Sequence, residues 1–375
     1  MKVAVVGGGP AGLYFAALAK RAHPDWRVSV AERNPADATF GFGVVFSGRA
    51  LAFLAEDDPE TYRDLAPMMQ AWDDFRIVHR DEVVAIDGNG FSAVGRLELL
   101  RYLQGRCRRA GVELAFGREV SGAAAVADAD LVVGADGVNS VLRHAFGAED
   151  RLLDNRFAWY GTPKPFDCLT LTFRQNRDGA FVAHHYRYAP AMSTFVVECD
   201  AATFARAGLA EMDDAESRAY CQALFAADLG GQPLISNRSV WRRFPVLRTG
   251  RWQDGRTVLL GDALRTAHFS IGSGTRLAME DAIALNRALA EAPADLPAAL
   301  AGFEAARRPP AEAIAEAGAA SADWYARLPA LMALSPYALA HSYMTRTGRM
   351  SDARLARLAP AFMARYRAVE TSREN

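Results

Sequence analysis

The chain has 375 residues, long for one domain and short for three, so two closely packed domains are expected. Half of it is hydrophobic (51%) and 23% is charged, a balance that supports a large core and excludes a disordered or fibrous chain. The formal net charge of −1 gives no global attraction to nucleic acid or to an anionic membrane, so neither is expected as a partner. No apolar run is long enough to span a bilayer. The cysteines Cys107, Cys168, Cys199 and Cys221 form no CxxC pair and have no histidine at metal-ligand spacing. Packing roles in a reducing compartment follow, with no metal site and a cytoplasmic location as the expectation.

Val3 to Val6 is a short apolar strand, Ala11 to Lys20 a helix, and Arg27 to Ala31 a second strand ending at Glu32. Between strand and helix lies Gly7-Gly8-Gly9-Pro10-Ala11-Gly12, which fits G-x-G-x-x-G. Gly7 permits the tight turn, Gly9 lets the backbone approach a pyrophosphate, and Gly12 lets helix and strand pack closely. Unpaired N–H groups at the helix start, with Pro10 and Ala11 in the first turn, then face the phosphates. Glu32, twenty residues past Gly12, can accept both ribose hydroxyls of an adenosine, with Arg33 beside it. Strand, turn, helix and acid together predict a dinucleotide-binding unit.

Residues 97–110 read as a helix, and Leu131 to Gly134 as another buried parallel strand. It leads into Gly134-Ala135-Asp136-Gly137-Val138-Asn139-Ser140, with Arg143 following. From about residue 151 the pattern changes. Leu169, Leu171 and Phe173 alternate with Thr170, Thr172 and Arg174, and Val182, His184, Tyr186 and Tyr188 share one face. Period-two alternation marks antiparallel strands with one covered face. After residue 244 the first style returns. Thr257 to Leu260 is a strand, followed by Gly261-Asp262-Ala263, by Gly272 and Gly274, and by a helix from about Thr275 carrying Glu280 and Asp281. Residues 303–375 read as helical, with breaks at Pro309-Pro310 and Pro336.

The fold class expected is therefore α/β: a discontinuous Rossmann-like domain with an inserted, mostly antiparallel β-sheet substrate domain and a helical C-terminus. The segments expected are 1–75, 91–150 and 244–302 for the nucleotide domain, 76–90 and 151–243 for the sheet domain, and 303–375 for the helical region.

Together the three glycine motifs resemble the signatures of the single-component FAD-dependent aromatic hydroxylases, the para-hydroxybenzoate hydroxylase-like family. That resemblance implies FAD as cofactor, NADH or NADPH as co-substrate, and oxygen transfer to an aromatic ring through a flavin C4a-hydroperoxide. By position it implies Asp136 and Gly137 near the pyrophosphate, Asp262 at the ribityl chain, Gly272 and Gly274 near the ring, and Arg96 against FAD. A nicotinamide-only dehydrogenase accounts for the first motif but needs no third. Over nearly the whole chain, Phe40 to Ser47, Gly88 to Arg96, Gly261 to Asp281 and Met344-Thr345-Arg346 are similar to a narrower branch, the salicylyl-CoA 5-hydroxylases and anthraniloyl-CoA monooxygenases. Trp159 to Thr162 and Met192 to Glu198 also resemble the violacein-pathway tryptophan hydroxylase. Many family members have His where Arg265 stands, and a Pro pair where His268-Phe269 stands. Some relatives in the acyl-CoA branch carry a further reductase-type domain, whose chemistry is expected to lie outside this sequence.

The substrate expected is a small aromatic, either an acyl-CoA thioester or a free indole or other secondary-metabolite aromatic. A flavin reductase of the same fold is the remaining alternative. Candidate catalytic residues are His184, on the alternating sheet, and His268, in the flavin-side turn, since histidine titrates in a range suited to proton transfer. His185 points to the opposite face. Tyr160, Tyr186 and Phe269 are candidate walls of an aromatic pocket. A monomer or homodimer is expected.

Overall fold

The computed structural model describes residues 1–47 and 51–374. The chain forms two compact units, one of residues 1–39, 97–152 and 245–316, the other of residues 40–96, 153–244 and 317–375.

The first unit is built on a parallel sheet. Its strands are, from one edge, Thr257–Leu259, Leu131–Gly134, Lys2–Val6, Arg27–Glu32 and Glu113–Phe116. Their Val- and Leu-rich character follows from burial on both faces: Val3, Val5, Leu131, Val133, Val258 and Leu259 are all buried. The helix Pro10–Ala22 follows the first strand, and Gly274–Glu291 follows the Gly-Asp turn. These two helices pack side by side. Ala278, Ala282, Leu285 and Leu289 turn a continuous buried face inward, as their helical spacing predicts.

The second unit centres on a seven-stranded, mostly antiparallel sheet. Phe181 and Ala183 enter one core with Tyr160, Phe195 and Phe225. Val182 and Tyr186 enter the other, with Leu171, Phe173 and the C-terminal residues Trp324, Tyr325 and Tyr343. The hairpin Phe75–His79 and Glu82–Ile86 extends the sheet by a parallel pairing of Arg76–Val78 with Thr170–Thr172. A small three-stranded sheet joins Gly43–Ser47, Phe91–Gly95 and Gln70–Trp72.

The expected break at Pro309-Pro310 is absent: one helix runs from Leu296 to Tyr325 through both prolines. The prolines remove two intrahelical donors. The preceding turn is nonetheless pinned from outside by Arg307, which binds Asp281 and Glu280, and by Arg308, which donates to the Gly250 carbonyl, while Arg308 also pairs within the helix with Glu304 and Glu312. Pro336 does mark a boundary. It opens the helix Pro336–Thr345, capped by the Ser335 hydroxyl.

All four cysteines are buried and free. Among the described residues no cluster suits a metal ion, and no helix is long and apolar enough to cross a membrane.

Candidate cofactor and substrate site

The three glycine motifs converge because the strands before them are neighbours. Lys2–Val6, Leu131–Gly134 and Thr257–Leu259 lie side by side and parallel, so the turns leaving their carboxyl ends emerge together. The Ala135 amide donates to the Val6 carbonyl at 2.7 Å, and the Leu260 amide to the Gly134 carbonyl at 2.8 Å. Gly7 has φ +108°, and a Cβ there would stand 2.2 Å from the Ala135 carbonyl oxygen. At Gly12 a Cβ would stand 2.1 Å from the Gly7 carbonyl oxygen. Only glycine fits either position.

Gly9 differs. A Cβ there would meet nothing within 4 Å, so chain packing does not require glycine at this point. Gly9 caps the helix Pro10–Ala22 with no side-chain bond, and Ser273 likewise leaves the start of Gly274–Glu291 uncapped by a side chain. Two helix starts in one unit thus present backbone donors and positive partial charge. Asp136 accepts from the Val141 amide through Oδ2 at 2.8 Å, while its buried Oδ1 has no hydrogen-bond partner among the described residues. Asp262 is exposed in the Gly261–Ala263 turn, Gly137 has φ +76° with open space around it, and Gly272 has φ +59°. Glu32 ends its strand with Oε2 accepting from the Gly8 amide at 2.7 Å and Oε1 from the Asn34 amide at 2.8 Å. Arg33 beside it is exposed. Open space over Gly9, an orphaned carboxylate oxygen and uncapped helix starts fit a bound dinucleotide.

Two buried arginines brace these turns. Arg143 donates to the Gly137 and Ala263 carbonyls, both at 3.3 Å, and to the Val138 carbonyl at 2.6 Å, tying the middle motif to the third. Arg265 pairs with Asp281, whose Oδ2 also accepts from the Gly261 amide at 3.1 Å. His268 is buried in the same unit, its Nδ1 2.8 Å from the Ser270 hydroxyl and its ring against Phe269. Arg96, the first residue of the helix Arg96–Ala110, donates its amide to the Phe42 carbonyl at 2.8 Å.

Residues 108–317, more than half of the chain, match the profile of the FAD binding domain family. Salicyloyl-CoA 5-hydroxylase of Streptomyces sp is 43% identical over 337 residues, an alignment covering 87% of this chain and 65% of that protein. The chain thus spans just under two thirds of this relative. Protodeoxyviolaceinate monooxygenase of Chromobacterium violaceum is 40% identical over 313 residues, covering 81% of this chain and 83% of that protein. The chain belongs to the FAD-dependent aromatic monooxygenase family. Its fold is shared by 2-methyl-3-hydroxypyridine-5-carboxylic acid oxygenase, with a TM-score of 0.71 at 20% identity over 95% of both chains.

In the sheet unit of this chain the candidate substrate residues divide between the two faces. His184 and Tyr186 lie on the face covered by the C-terminal helices, and the His184 ring is 5.2 Å from that of Tyr325. The Tyr186 hydroxyl donates to the Gly43 carbonyl at 2.9 Å, and burial pushes its pKa up. Tyr160 is on the other face, fully buried, with its hydroxyl 2.9 Å from that of Ser217. The structure does not bring Tyr160 to His184. His185 also lies opposite, stacked on Phe195, with Nε2 2.9 Å from the Thr172 hydroxyl.

Sequence reasoning did not single out Glu198, beside His184, or its partner Asn155. Glu198, 1% exposed, has Oε2 3.4 Å from His184 Nε2, and the Asn155 amide donates to Glu198 Oε1 at 2.9 Å. The pairing of His184 with Val196 places Glu198 diagonally across from it, so strand register was the available signal.

Proposed function

We propose that this chain hydroxylates the ring of an aromatic acyl-CoA thioester, using FAD, NADH or NADPH, and oxygen. The observation that carries the cofactor half is the emergence of three glycine turns at the ends of three adjacent parallel strands. The 43% identity to a salicyloyl-CoA 5-hydroxylase over 87% of the chain supports the substrate half.

In this reading Gly7, Gly9, Pro10, Ala11 and Gly12 receive the pyrophosphate of FAD, and Glu32 with Arg33 takes the adenosine end. Asp136 and Gly137 border the pyrophosphate from the second turn. Asp262 holds the ribityl hydroxyls, and Gly272 and Gly274 open the helix whose N-terminal donors favour negative charge on the flavin pyrimidine edge. Arg96 adds a further contact to FAD. Bound FAD, once reduced by the nicotinamide, supplies activated oxygen for transfer to an electron-rich ring carbon.

The chain's own work is then to bind, orient and shield. The ring carbon must be held close to the flavin, and bulk water kept out. A ring hydroxyl or amino group supplies the electronic activation, so no nucleophilic triad is required. His184 serves as the acceptor of that group's proton, with His268 as the second candidate for a proton contact. Tyr186 and Phe269 border the aromatic substrate. The buried hydrogen bond from Tyr186 to Gly43 assigns its hydroxyl to positioning, and Tyr160 contributes core packing behind the sheet.

The second reading, a hydroxylase of a free aromatic such as an indole, rests on the 40% identity to protodeoxyviolaceinate monooxygenase. Product mass separates the two. Incubation with FAD, NAD(P)H and oxygen should add one oxygen atom (about 16 Da) to salicylyl-CoA, and nothing to free salicylate or tryptophan. Oxygen incorporation only into a CoA-free aromatic selects the second reading. Substrate-stimulated NAD(P)H oxidation without oxygen uptake overturns both.

A further inference from the structure

We propose that Arg354 and Arg357, on the helix Asp352–Leu358, hold the phosphates of the substrate's coenzyme A moiety. This rests on the reading of an acyl-CoA thioester as substrate and names the groups that recognise its charged end.

The chain as a whole is close to neutral, yet residues 342–369 carry six arginines against one acid, Asp352. That carboxylate is committed to His341, with Oδ1 2.9 Å from Nε2. Two acids flanking the adjoining hairpin are committed as well. Asp87 accepts from the Ala361 and Phe362 amides at 3.1 and 2.9 Å, and Asp74 from the Gly88 amide at 3.3 Å. Arg354 and Arg357 are exposed and make no ion pair among the described residues.

The two arginines stand on a fixed support. Ser351 caps their helix, its hydroxyl accepting from the Arg354 amide at 3.3 Å, and Leu355 is buried beneath it. Residues three apart are neighbours on a helix, so Arg354 and Arg357 lie side by side on the outer surface. The Arg354 guanidinium also donates to the Arg349 carbonyl at 3.3 Å, which limits its freedom. Leu355, Ala359, Phe362 and Met363 share a core with Leu171, Tyr186 and Tyr325, so this helix belongs to the layer covering the face that carries His184. Adjacent like charges repel, and an anion shared between them removes that cost. Guanidinium forks match phosphate oxygens in geometry and keep their charge at any working pH. Coenzyme A has a diphosphate and a 3′-phosphate at one end and a flexible pantetheine arm leading to the thioester. Its charged end can therefore stay at the surface while the aromatic ring enters a buried site. No bond forms or breaks in this step.

The test compares two thioesters of one acid on the FAD-bound full chain: salicylyl-CoA and salicylyl-pantetheine, which lacks every phosphate. In the wild type the KM for the pantetheine thioester should be about tenfold higher, the scale of one lost charge-assisted contact, with kcat little changed. In Arg354→Ser/Arg357→Ser the KM for salicylyl-CoA should rise about tenfold and that for salicylyl-pantetheine should not move. Arg108→Ser/Arg109→Ser removes the same charge from the exposed end of the helix Arg96–Ala110 and should behave as wild type. A double variant that still separates the two thioesters as wild type does, or an equal loss in the Arg108 and Arg109 control, overturns the proposal. The wild-type preference should also shrink as salt is raised, because exposed charges are screened; a preference indifferent to salt overturns it without any variant. If the wild type hydroxylates neither thioester, the reading of function fails, and titration of coenzyme A onto the FAD-bound proteins decides the site alone. Binding about tenfold weaker in the double variant sustains it, and equal binding, or none by the wild type, overturns it.

Discussion

Arg265 meets Asp281 with both ends of its guanidinium, Nη1 to Oδ2 at 3.0 Å and Nη2 to Oδ1 at 2.9 Å, in a pair whose side chains are 5% and 0% exposed. Asp281 also accepts from Arg307 Nε at 2.8 Å and from the Gly261 amide at 3.1 Å. One buried carboxylate therefore joins the Gly-Asp turn to two helices. Asp281→Ala should be the more damaging change, because it strands the buried Arg265 guanidinium and the Gly261 amide and leaves Arg307 with Glu280 alone. A loss of about 3–5 kcal/mol is expected, the range for breaking a buried pair from one side. Arg265→Ala should cost less, since Arg307 and Gly261 still serve the carboxylate. Chemical denaturation of the FAD-free proteins measures both, and the reverse order would discount this account.

Gly9 and Gly12 provide a second contrast. A Cβ at Gly12 collides with the Gly7 carbonyl, whereas a Cβ at Gly9 enters open space. Gly9 also has an ordinary extended backbone, φ −79° and ψ −178°. Gly9→Ala should therefore leave the thermal stability of the FAD-free protein within about 0.5 kcal/mol of wild type, yet bind FAD much more weakly, because that open space is the one proposed for the pyrophosphate. Gly12→Ala should lower both. Isothermal titration with FAD and a thermal melt without it separate the two effects; undiminished FAD affinity in Gly9→Ala would place the pyrophosphate elsewhere.

These two predictions draw on features of unequal legibility in the sequence. The fingerprint, the Gly-Asp turn and the alternation in 168–199 are local patterns. Each is set by neighbours a few residues apart, and the structure has the strands and turns they imply. The brace at Asp281 was not legible, because its partners Arg265 and Arg307 are brought to it by tertiary packing. Departure from the family's usual His at 265 was visible, but not what a guanidinium there would grip. Glu198 escaped for a different reason. Alternation assigns a face to each residue of a strand, while its neighbour across the strand depends on register, which is set by the hairpin turn. Tyr160 shows the same limit in reverse. Its aromatic character suited a pocket wall, and its register with Phe195 puts it in the opposite core.

His185 gives a pH dependence of definite sign. Burial lowers its pKa from 6.5 to about 3, so the folded protein holds the ring neutral. The unfolded chain binds a proton below its ordinary pKa and the folded chain does not. Stability from this residue is therefore complete above about pH 6.5 and declines as pH falls toward 3, by up to about 1.4 kcal/mol per unit. His185→Gln, which keeps a polar group near Thr172, should flatten the slope between pH 6.5 and 5 relative to wild type. Denaturation midpoints at several pH values measure it, and parallel slopes in the two proteins would rule out His185 as the source.

Asp262→Ala and His184→Ala should fail in opposite ways. Asp262 is exposed on the turn beyond Thr257–Leu259 and is the carboxylate assigned to the ribityl chain, so its loss should yield largely FAD-free protein that still folds. His184 lies in the sheet unit, near Glu198 and Tyr325, and is not among the residues proposed to hold FAD. His184→Ala should purify yellow and oxidise NAD(P)H when an aromatic acyl-CoA is added, while releasing hydrogen peroxide in place of product. Proton removal from the ring hydroxyl is what makes the ring carbon nucleophilic, so without it the activated oxygen is lost to water. Flavin absorbance, peroxide yield and product mass, taken on the two variants together, distinguish a binding defect from a coupling defect. Full flavin occupancy in Asp262→Ala, or normal product yield in His184→Ala, would reassign the residue concerned.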